Sequence, residues 1–291
     1  MQSCNWKSLI MKIKFEKICY HYLQNLPYQK EILKDISLEI SRGEFVALIG
    51  PTGSGKTTLL QHFTGLLKPT SGKIYIDDRD IWQKAYPLAA LRKKIGLVFQ
   101  FPESQLFEGS VFDDVAFGPR ALKLKHGEVE QRVEQALRLV GLNVDIIAAR
   151  SPHDLSEGEK RRVAIAGVLA MAPDMLILDE PTAGLDPTGK KLVINMLEKL
   201  NREGVTILFV SHNMDLVLQL AQRVLVLSEG TIIFDGTRDS ILSNQDLLTE
   251  VHLEFPRISS VARSLYRQKI IADWKIYTIS QLKSAIRSGR V

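Results

Sequence analysis

The chain has 291 residues, of which 45% are hydrophobic and 24% charged, an ordinary composition for one large domain, or a main domain with an appendage. No apolar run is long enough to span a bilayer, and the two cysteines, Cys4 and Cys19, lack metal-ligand spacing and imply no disulfide framework, which fits a reducing compartment. The formal net charge of +5 is uneven: from Arg257 onward eight basic residues face one acid, Asp273, so this segment carries +7 and the remainder −2. A basic tail suits an anionic lipid surface, an acidic partner or RNA, and equally a solvated helix face.

The first ten residues, MQSCNWKSLI, are too short and too polar for a secretory signal. Met11 offers a second start, and residues 1–11 read as an N-terminal tail. Residues 11–49 read as β-rich, with alternation at Ile13-Lys14-Phe15 and Ile36-Ser37-Leu38-Glu39-Ile40 and a turn at Ser41-Arg42-Gly43-Glu44. The apolar β-branched run Phe45-Val46-Ala47-Leu48-Ile49 leads into Gly50-Pro51-Thr52-Gly53-Ser54-Gly55-Lys56-Thr57, and Thr58-Leu59-Leu60-Gln61 continues as a helix toward Leu66-Leu67. Strand, glycine loop, lysine and helix in this order make a phosphate-binding loop. The glycines let backbone N–H groups point inward at a polyphosphate, and the helix adds its positive N-terminal end. Lys56 would reach the β- and γ-phosphates and the Thr57 hydroxyl would ligate Mg²⁺.

Further along, Lys73-Ile74-Tyr75-Ile76 reads as a strand turning at Asp77-Asp78, and Ile95-Gly96-Leu97-Val98-Phe99 as a buried strand. Residues 110–150 carry helical periodicity through Val133, Ala136, Leu137 and Val140. Met175-Leu176-Ile177-Leu178 and Thr206-Ile207-Leu208-Phe209-Val210 are nearly all apolar, as strands buried on both faces of a parallel sheet are, and a helix over 188–203 joins them in a βαβ unit. Val224 to Leu227 and Thr231 to Phe234 flank Glu229-Gly230, a hairpin signal. The core is expected to end near residue 245, followed by a short helix, Phe255-Pro256 and a basic helical segment ending in Ala285-Ile286. The run Leu176-Ile177-Leu178-Asp179-Glu180 supplies the remaining chemistry. Asp179 sits where a buried strand emerges, suited to holding Mg²⁺, and Glu180 can polarise a water in line with the γ-phosphorus.

At this point the chain resembles the ATP-binding-cassette (ABC) ATPases, whose motifs occur in order over residues 20–212. Gln100, after the strand Ile95 to Phe99, matches the Q-loop glutamine, which in the family contacts Mg²⁺ and water and relays to a transmembrane partner. Leu155-Ser156-Glu157-Gly158-Glu159, followed by Lys160-Arg161-Arg162, holds the signature position. Asp186 matches the D-loop aspartate, His212 the switch histidine that contacts the γ-phosphate, and Tyr22 the aromatic residue that stacks on adenine, with Tyr20 as the competing choice. Taken singly, a glutamine or histidine after a strand, or a tyrosine within one, has bland structural explanations; the joint order is what carries the resemblance. The resemblance implies an α/β P-loop fold with a mixed sheet core, an antiparallel β subdomain, a helical signature subdomain and a small C-terminal helical appendage. It implies ATP and Mg²⁺ as ligands, with Ser156 and Gly158 meeting the γ-phosphate of ATP bound to a second subunit. One departure stands out: the usual signature has glycine where this chain has Glu157 and glutamine where it has Glu159. A Glu157 pointing inward would set a negative charge against phosphate and weaken the site that this signature completes.

Phe99 to Phe107 and the helix Arg162 to Met171 are similar to those of the energy-coupling-factor (ECF) importers, including the cobalt-transport type. Phe255-Pro256, Ala262 to Leu265, Thr278 to Leu282 and Ala285-Ile286 are similar to their C-terminal appendage, which contributes dimer contacts. The loop Asn25 to Lys30 resembles that of paralogous heterodimeric pairs. The implied organisation is a tail at 1–11, an ATP-binding domain at 12–245 and an appendage at 246–291. The implied function is ATP hydrolysis at the cytoplasmic face of the cell membrane. There a pair of ATPase subunits, identical or paralogous, drives uptake of a vitamin or transition-metal ion. The membrane partners are a coupling protein and a substrate-binding component, and nucleic acid is not expected. The alternatives are a soluble non-transport ABC ATPase and a largely non-hydrolysing ATP-binding scaffold. The translation type usually has two cassettes and the repair type a long coiled-coil insertion, whereas this chain has one cassette and 100 positions from Lys56 to Ser156. Glu180 and His212 argue against the scaffold, and Glu157 keeps it open.

Overall fold

A computed structural model describes residues 11–22, 29–84, 86–251 and 253–288. The N-terminal tail through residue 10, and Asn25 to Tyr28 of the expected heterodimer-type loop, lie outside the described residues. In chain order the strands are β1 (Ile13–Tyr22), β2 (Lys30–Ile40), β3 (Phe45–Ile49), β4 (Ser71–Ile76), β5 (Arg79–Asp80), β6 (Ile95–Val98), β7 (Met175–Asp179), β8 (Thr206–Val210), β9 (Arg223–Ser228) and β10 (Thr231–Thr237). The helices are α1 (Lys56–Phe63), α2 (Leu88–Lys94), α3 (Val111–Ala121), α4 (His126–Leu139), α5 (Val144–Ile147), α6 (Glu157–Leu169), α7 (Pro187–Arg202), α8 (Met214–Leu220), α9 (Arg238–Ser243), α10 (Gln245–Glu250), α11 (Arg257–Arg267) and α12 (Ile279–Ser288).

Two sheets organise these elements. Strands β2-β1-β4-β5 form a four-stranded antiparallel sheet, and β10-β9-β3-β8-β7-β6 form a six-stranded mixed one. In the larger sheet β6, β7, β8, β3 and β9 run parallel, and β10 returns antiparallel through Glu229-Gly230, both at positive φ (48° and 82°), as a tight hairpin requires. The expected all-apolar strands are the central ones, and their alternation divides the interior. Phe45, Ala47, Ile49, Leu176, Leu178, Ile207 and Phe209 join a core with α3, α4, α6 and α7. Val46, Leu48, Met175, Ile177, Leu208 and Val210 face the other way, onto Ile13, Phe15, Ile36 and Ile40 of the antiparallel sheet and Leu59, Leu60 and Phe63 of α1. The central sheet is therefore buried on both faces, which is why its strands lack an apolar–polar alternation. Its parallel strands end together, and the loops beyond their carboxyl ends carry the residues singled out above.

Two expectations are adjusted. The helix after the glycine loop stops at Phe63, because the chain reverses at Gly65 (φ 61°), rather than running on to Leu66-Leu67. The tail is two helices, α11 and α12, divided at Lys269 (φ 59°). They share a small core of Ala262, Ile271 and Ile276, while Phe255 and Trp274 pack back against the main body. Tyr277 fastens the appendage, donating a hydrogen bond to Asp239 beneath the Arg238 guanidinium, which lies 4.4 Å from its ring centre. Among the described residues, no helix is long and apolar enough to cross a membrane.

Candidate functional site

The glycine loop joins β3 to α1, and its shape rests on two glycines. At Gly50 (φ 145°) a Cβ would sit 1.9 Å from the Leu227 carbonyl oxygen, and at Gly55 (φ 104°) 3.0 Å from that of Ile32, so no side chain fits at either. Gly55 is the residue before the first turn of α1, whose free N–H groups open toward the loop. Ser54 Oγ is buried within the loop with no hydrogen-bond partner. Lys56 is buried, and its ammonium donates to the carbonyls of Gly50 (2.9 Å) and Pro51 (2.7 Å). Burial pulls its pKa down, and the carboxylates of Asp179 and Glu180 pull it back up. A helix N-terminus opening on the loop, an unpartnered hydroxyl and a buried ammonium with one N–H donor left are what a polyphosphate would complete.

The second half of the site is the end of β7. Asp179 is buried and accepts a hydrogen bond from Thr57 Oγ1 at 3.1 Å, so residues 122 positions apart meet. Two hard oxygens side by side suit Mg²⁺, which is commonly held by one or two side-chain oxygens together with phosphate. Among the described residues there is no cluster of three or more acidic, histidine or cysteine side chains that could hold a metal alone. Glu180 follows in the left-handed region (φ 51°), a conformation that costs a non-glycine residue roughly 1–2 kcal/mol. Its N–H donates to Val210 O (3.0 Å), and its carboxylate accepts from the His212 N–H (2.8 Å) and from Ser211 Oγ (3.4 Å). The pKa values of Asp179 and Glu180 are both raised, chiefly by burial; Thr57 and Lys56 oppose this at Asp179, and the His212 N–H and imidazole at Glu180. The His212 ring is half exposed, with Nε2 3.8 Å from Glu180 Oε1.

The other singled-out residues surround this centre. Tyr22 exposes its ring and brings its hydroxyl to 3.4 Å from Thr58 Oγ1, whereas Tyr20 stands edge-on between Tyr22 and the buried His62, at 4.9 Å from each. The exposed ring is free to stack on a base, and the half-buried one backs it. Thr52 and Gly53 are exposed at the tip of the loop. Gln100 is exposed just beyond β6, and because Val98 lies opposite Leu178 it leaves the sheet at the level of Asp179 and Glu180. Asp186 caps α7, its Oδ1 accepting from the Gly189 N–H at 2.9 Å. Ser156 caps α6: its hydroxyl accepts from the Glu159 N–H, and Glu159 Oε2 accepts in return from the N–H (2.9 Å) and hydroxyl (2.8 Å) of Ser156. A Cβ on Gly158 would meet nothing closer than Leu185 Cδ2 at 3.8 Å, so the fold itself does not demand glycine there.

A family profile described as ABC transporter matches residues 33–183. The energy-coupling factor transporter ATP-binding protein EcfA2 of Clostridium tetani is 47% identical over 95% of this chain and 96% of its own length, and that of Clostridium perfringens is 45% identical over 95% and 97%. Among solved structures, cbiO1 from Clostridium perfringens, part of the ABC transporter complex cbiONQ, is 40% identical with a TM-score of 0.71, covering 86% of this chain and 98% of its own. A dimeric ATP-binding cassette in a post-hydrolysis state with ADP and Pi is 30% identical with a TM-score of 0.69, covering 78% and 98%. The chain belongs to the ABC transporter family, in its energy-coupling-factor branch. As an ABC ATPase it binds ATP and hydrolyses it.

Against this family background, the unusual Glu157 does not stand bare. Its carboxylate is exposed and paired with Lys160 Nζ at 2.8 Å on the same helix, so the added charge is locally compensated. Three contributors escaped sequence reasoning: Arg161, Glu103 and Ser211. Arg161 is 4% exposed, and its guanidinium donates to the Glu180 carbonyl at 2.5 Å. Its signal was its spacing, since it shares a helix face with buried Ile165 and Leu169, where an arginine needs a partner. Glu103 comes to face Arg161, and Ser211 to bond Glu180, only through tertiary contact.

Proposed function

We propose that the chain is the ATP-hydrolysing subunit of an energy-coupling-factor importer, one of two cassettes that drive uptake of a vitamin or transition-metal ion through a membrane coupling protein. The observation that carries this reading is the convergence at the end of β7, where Lys56, Thr57, Asp179, Glu180 and the His212 backbone meet although the sequence scatters them over 156 positions.

The glycine loop, from Gly50 to Thr57 with Thr58 beyond it, grips the triphosphate, and Lys56 exchanges its two loop carbonyls for β- and γ-phosphate oxygens. Thr57, Asp179 and Gln100 would hold Mg²⁺, which supplies neutralisation of the charge that develops on the phosphate oxygens. Glu180 orients the attacking water and accepts its proton; the His212 N–H and Ser211 hydroxyl hold the carboxylate in place for this, and burial keeps it basic. The His212 side chain reaches toward the γ-phosphate, and Tyr22 stacks on the base.

Ser156 and Gly158, with Asp186, serve the nucleotide of the partner cassette, whether a second copy or a paralogue. The signature turn lies at the surface with space above Gly158, which suits an approaching phosphate. The appendage assists pairing through Val261, Tyr266 and Ile279, apolar side chains left 45–60% exposed. Around the Gln100 segment Phe101, Phe107 and Phe117 are each more than half exposed, with the last two rings in edge-to-face contact at 5.1 Å. A membrane protein's coupling helix would seat there, placing this chain at the cytoplasmic face of the membrane. The test is purification from membranes with the co-purifying chains identified, followed by phosphate release from Mg-ATP. A second cassette, an integral membrane partner and ATP turnover are expected. A chain recovered alone, with no turnover in its presence or absence of membranes, overturns the reading.

A further inference from the structure

Arg161 is the one buried arginine among the described residues, and neither the glycine loop nor the strand-end acids explain why it is there. It projects from the second turn of the signature helix α6. Its Nη2 donates to the Glu180 carbonyl at 2.5 Å, an oxygen that also accepts the Ala183 N–H at 3.2 Å. Its Nη1 faces Glu103 Oε2 at 4.0 Å, beyond hydrogen-bonding distance. Arg161 Nε and Glu103 Oε2 are both buried without a hydrogen-bond partner. Glu103 belongs to the short 3-10 turn Pro102–Gln105, which begins two residues after Gln100 and is entered through Phe101 in the left-handed region (φ 58°).

Two physical points follow. Glu180 needs its backbone held, because its left-handed conformation is unfavourable for a non-glycine residue and sets where its carboxylate points. The Arg161 bond fixes the carbonyl, while Val210 O fixes the N–H. In addition, a buried ion pair standing just out of reach leaves a donor and an acceptor unmet, a costly condition that a small displacement would relieve. A shift of the Gln100–Gln105 segment toward α6 would bring the two groups into hydrogen-bonding contact.

We infer that Arg161 is a positioning residue for Glu180, and that Glu103 makes the placement of the Gln100–Gln105 segment felt at Glu180 through it. Arg161 acts through the Glu180 backbone, to whose carbonyl it donates. Tightening the Glu103 contact withdraws the guanidinium from, or presses it onto, the Glu180 carbonyl, so a partner bearing on the exposed aromatics of this segment alters turnover without touching the phosphates. The inference rests on the proposed role of Glu180 in hydrolysis.

The test measures kcat and KM for Mg-ATP in the complex purified from membranes, with wild-type chain, Arg161→Met, Arg161→Lys, Glu103→Gln and the double variant Arg161→Met/Glu103→Gln. Arg161→Met is expected to lower kcat by about ten- to a hundredfold while KM moves by less than about twofold, since misplacing a reacting group acts on turnover and not on ground-state binding. Arg161→Lys should restore part of the loss, because one ammonium can still reach the Glu180 carbonyl but cannot span to Glu103. Glu103→Gln should lower kcat by about two- to fivefold alone and add nothing to Arg161→Met, the mark of residues acting as a unit. Unchanged kcat in folded Arg161→Met overturns the inference, as does a loss in which kcat, KM and thermal midpoint all shift together, or an additive double variant. Should Arg161→Met not fold, wild-type kcat in both Arg161→Lys and Glu103→Gln overturns it. A wild-type complex that binds Mg-ATP without hydrolysing it overturns the role given to Glu180, a separate result.

Discussion

The first two turns of α6 are built in opposite ways. At its second turn Arg161 donates into the strand-end site, where Glu180 is bonded to His212 and Ser211 and Thr57 to Asp179 across the chain. At its first residues the side chains of Ser156 and Glu159 bond each other, and that of Glu157 bonds Lys160, within one exposed to half-exposed turn. The second turn faces a pocket made by distant segments of this chain. The other is a self-sufficient helix cap whose polar groups look outward. The proposed division of the nucleotide site between two chains fits this form: an internally assembled half for metal and water, and a self-capped half to meet a partner's nucleotide.

The largest effect that would sharpen this contrast is at Glu180. Glu180→Gln keeps the acceptor for the His212 N–H but loses the base, and turnover should fall by about 10²–10⁴-fold with nucleotide binding retained. Phosphate release and equilibrium binding measured side by side check it, and normal turnover would remove Glu180 from the chemistry. Next in size is Lys56→Ala, which deletes a charge-assisted contact to phosphate that is worth about 1.5–3 kcal/mol, about ten- to a hundredfold in Kd for ATP. Because Lys56 now bonds only to Gly50 and Pro51 of its own loop, the fold should tolerate the change, and the melting temperature without nucleotide should move little.

How much of this was legible in sequence follows the same division. The glycine loop, the strand-end acids and the all-apolar strands announce themselves because their constraints are local: a turn that excludes Cβ, a strand buried on both faces. The hairpin at Glu229-Gly230 is likewise written in two residues. The signature motif is visible as letters, yet the letters do not say which way Glu157 points; only the helix that brings Lys160 one turn away decides that. Arg161 and Glu103 were invisible as a pair, since 58 positions separate them and their meeting depends on α6 packing beside the Gln100 segment. The early end of α1 and the break between α11 and α12 were missed for a smaller reason: Gly65 and Lys269 take positive φ at positions where apolar periodicity runs on.

At the outward first turn the effects are smaller and test whether the cap serves a different chain. Ser156→Ala removes the side-chain cap of α6, at a cost of about 1 kcal/mol, and should lower the melting temperature by about 2 °C. The ATP affinity of the isolated chain should not change, because the groups proposed to hold its own nucleotide lie at the other site; turnover of the assembled complex should fall. Weakened binding in the isolated chain would mean that the signature contributes to its own nucleotide site, and the contrast drawn here would fail.

The smallest effect concerns charge alone. Hydrogen bonds from the Ser156 N–H and hydroxyl hold the Glu159 carboxyl below its ordinary value of 4.5, and the negative charge also sits favourably at the start of α6. A carboxylate depressed in the folded state contributes stability that is fully present above 4.5 and is lost as pH falls through the folded value. Glutamine in its place, the residue usual in the family, keeps an oxygen to accept from Ser156 but carries no charge. Glu159→Gln should therefore melt slightly lower than wild type near neutral pH, with the gap closing as the pH falls through the depressed value below 4.5 and never reversing sign above 4.5. Melting curves of both proteins across pH 3–7 at low salt would show it, since the exposed charge is screened at high ionic strength. A gap constant in pH would mean that the reciprocal cap works through hydrogen-bond geometry alone, and that glutamate and glutamine are interchangeable for holding Ser156 toward a partner's phosphate.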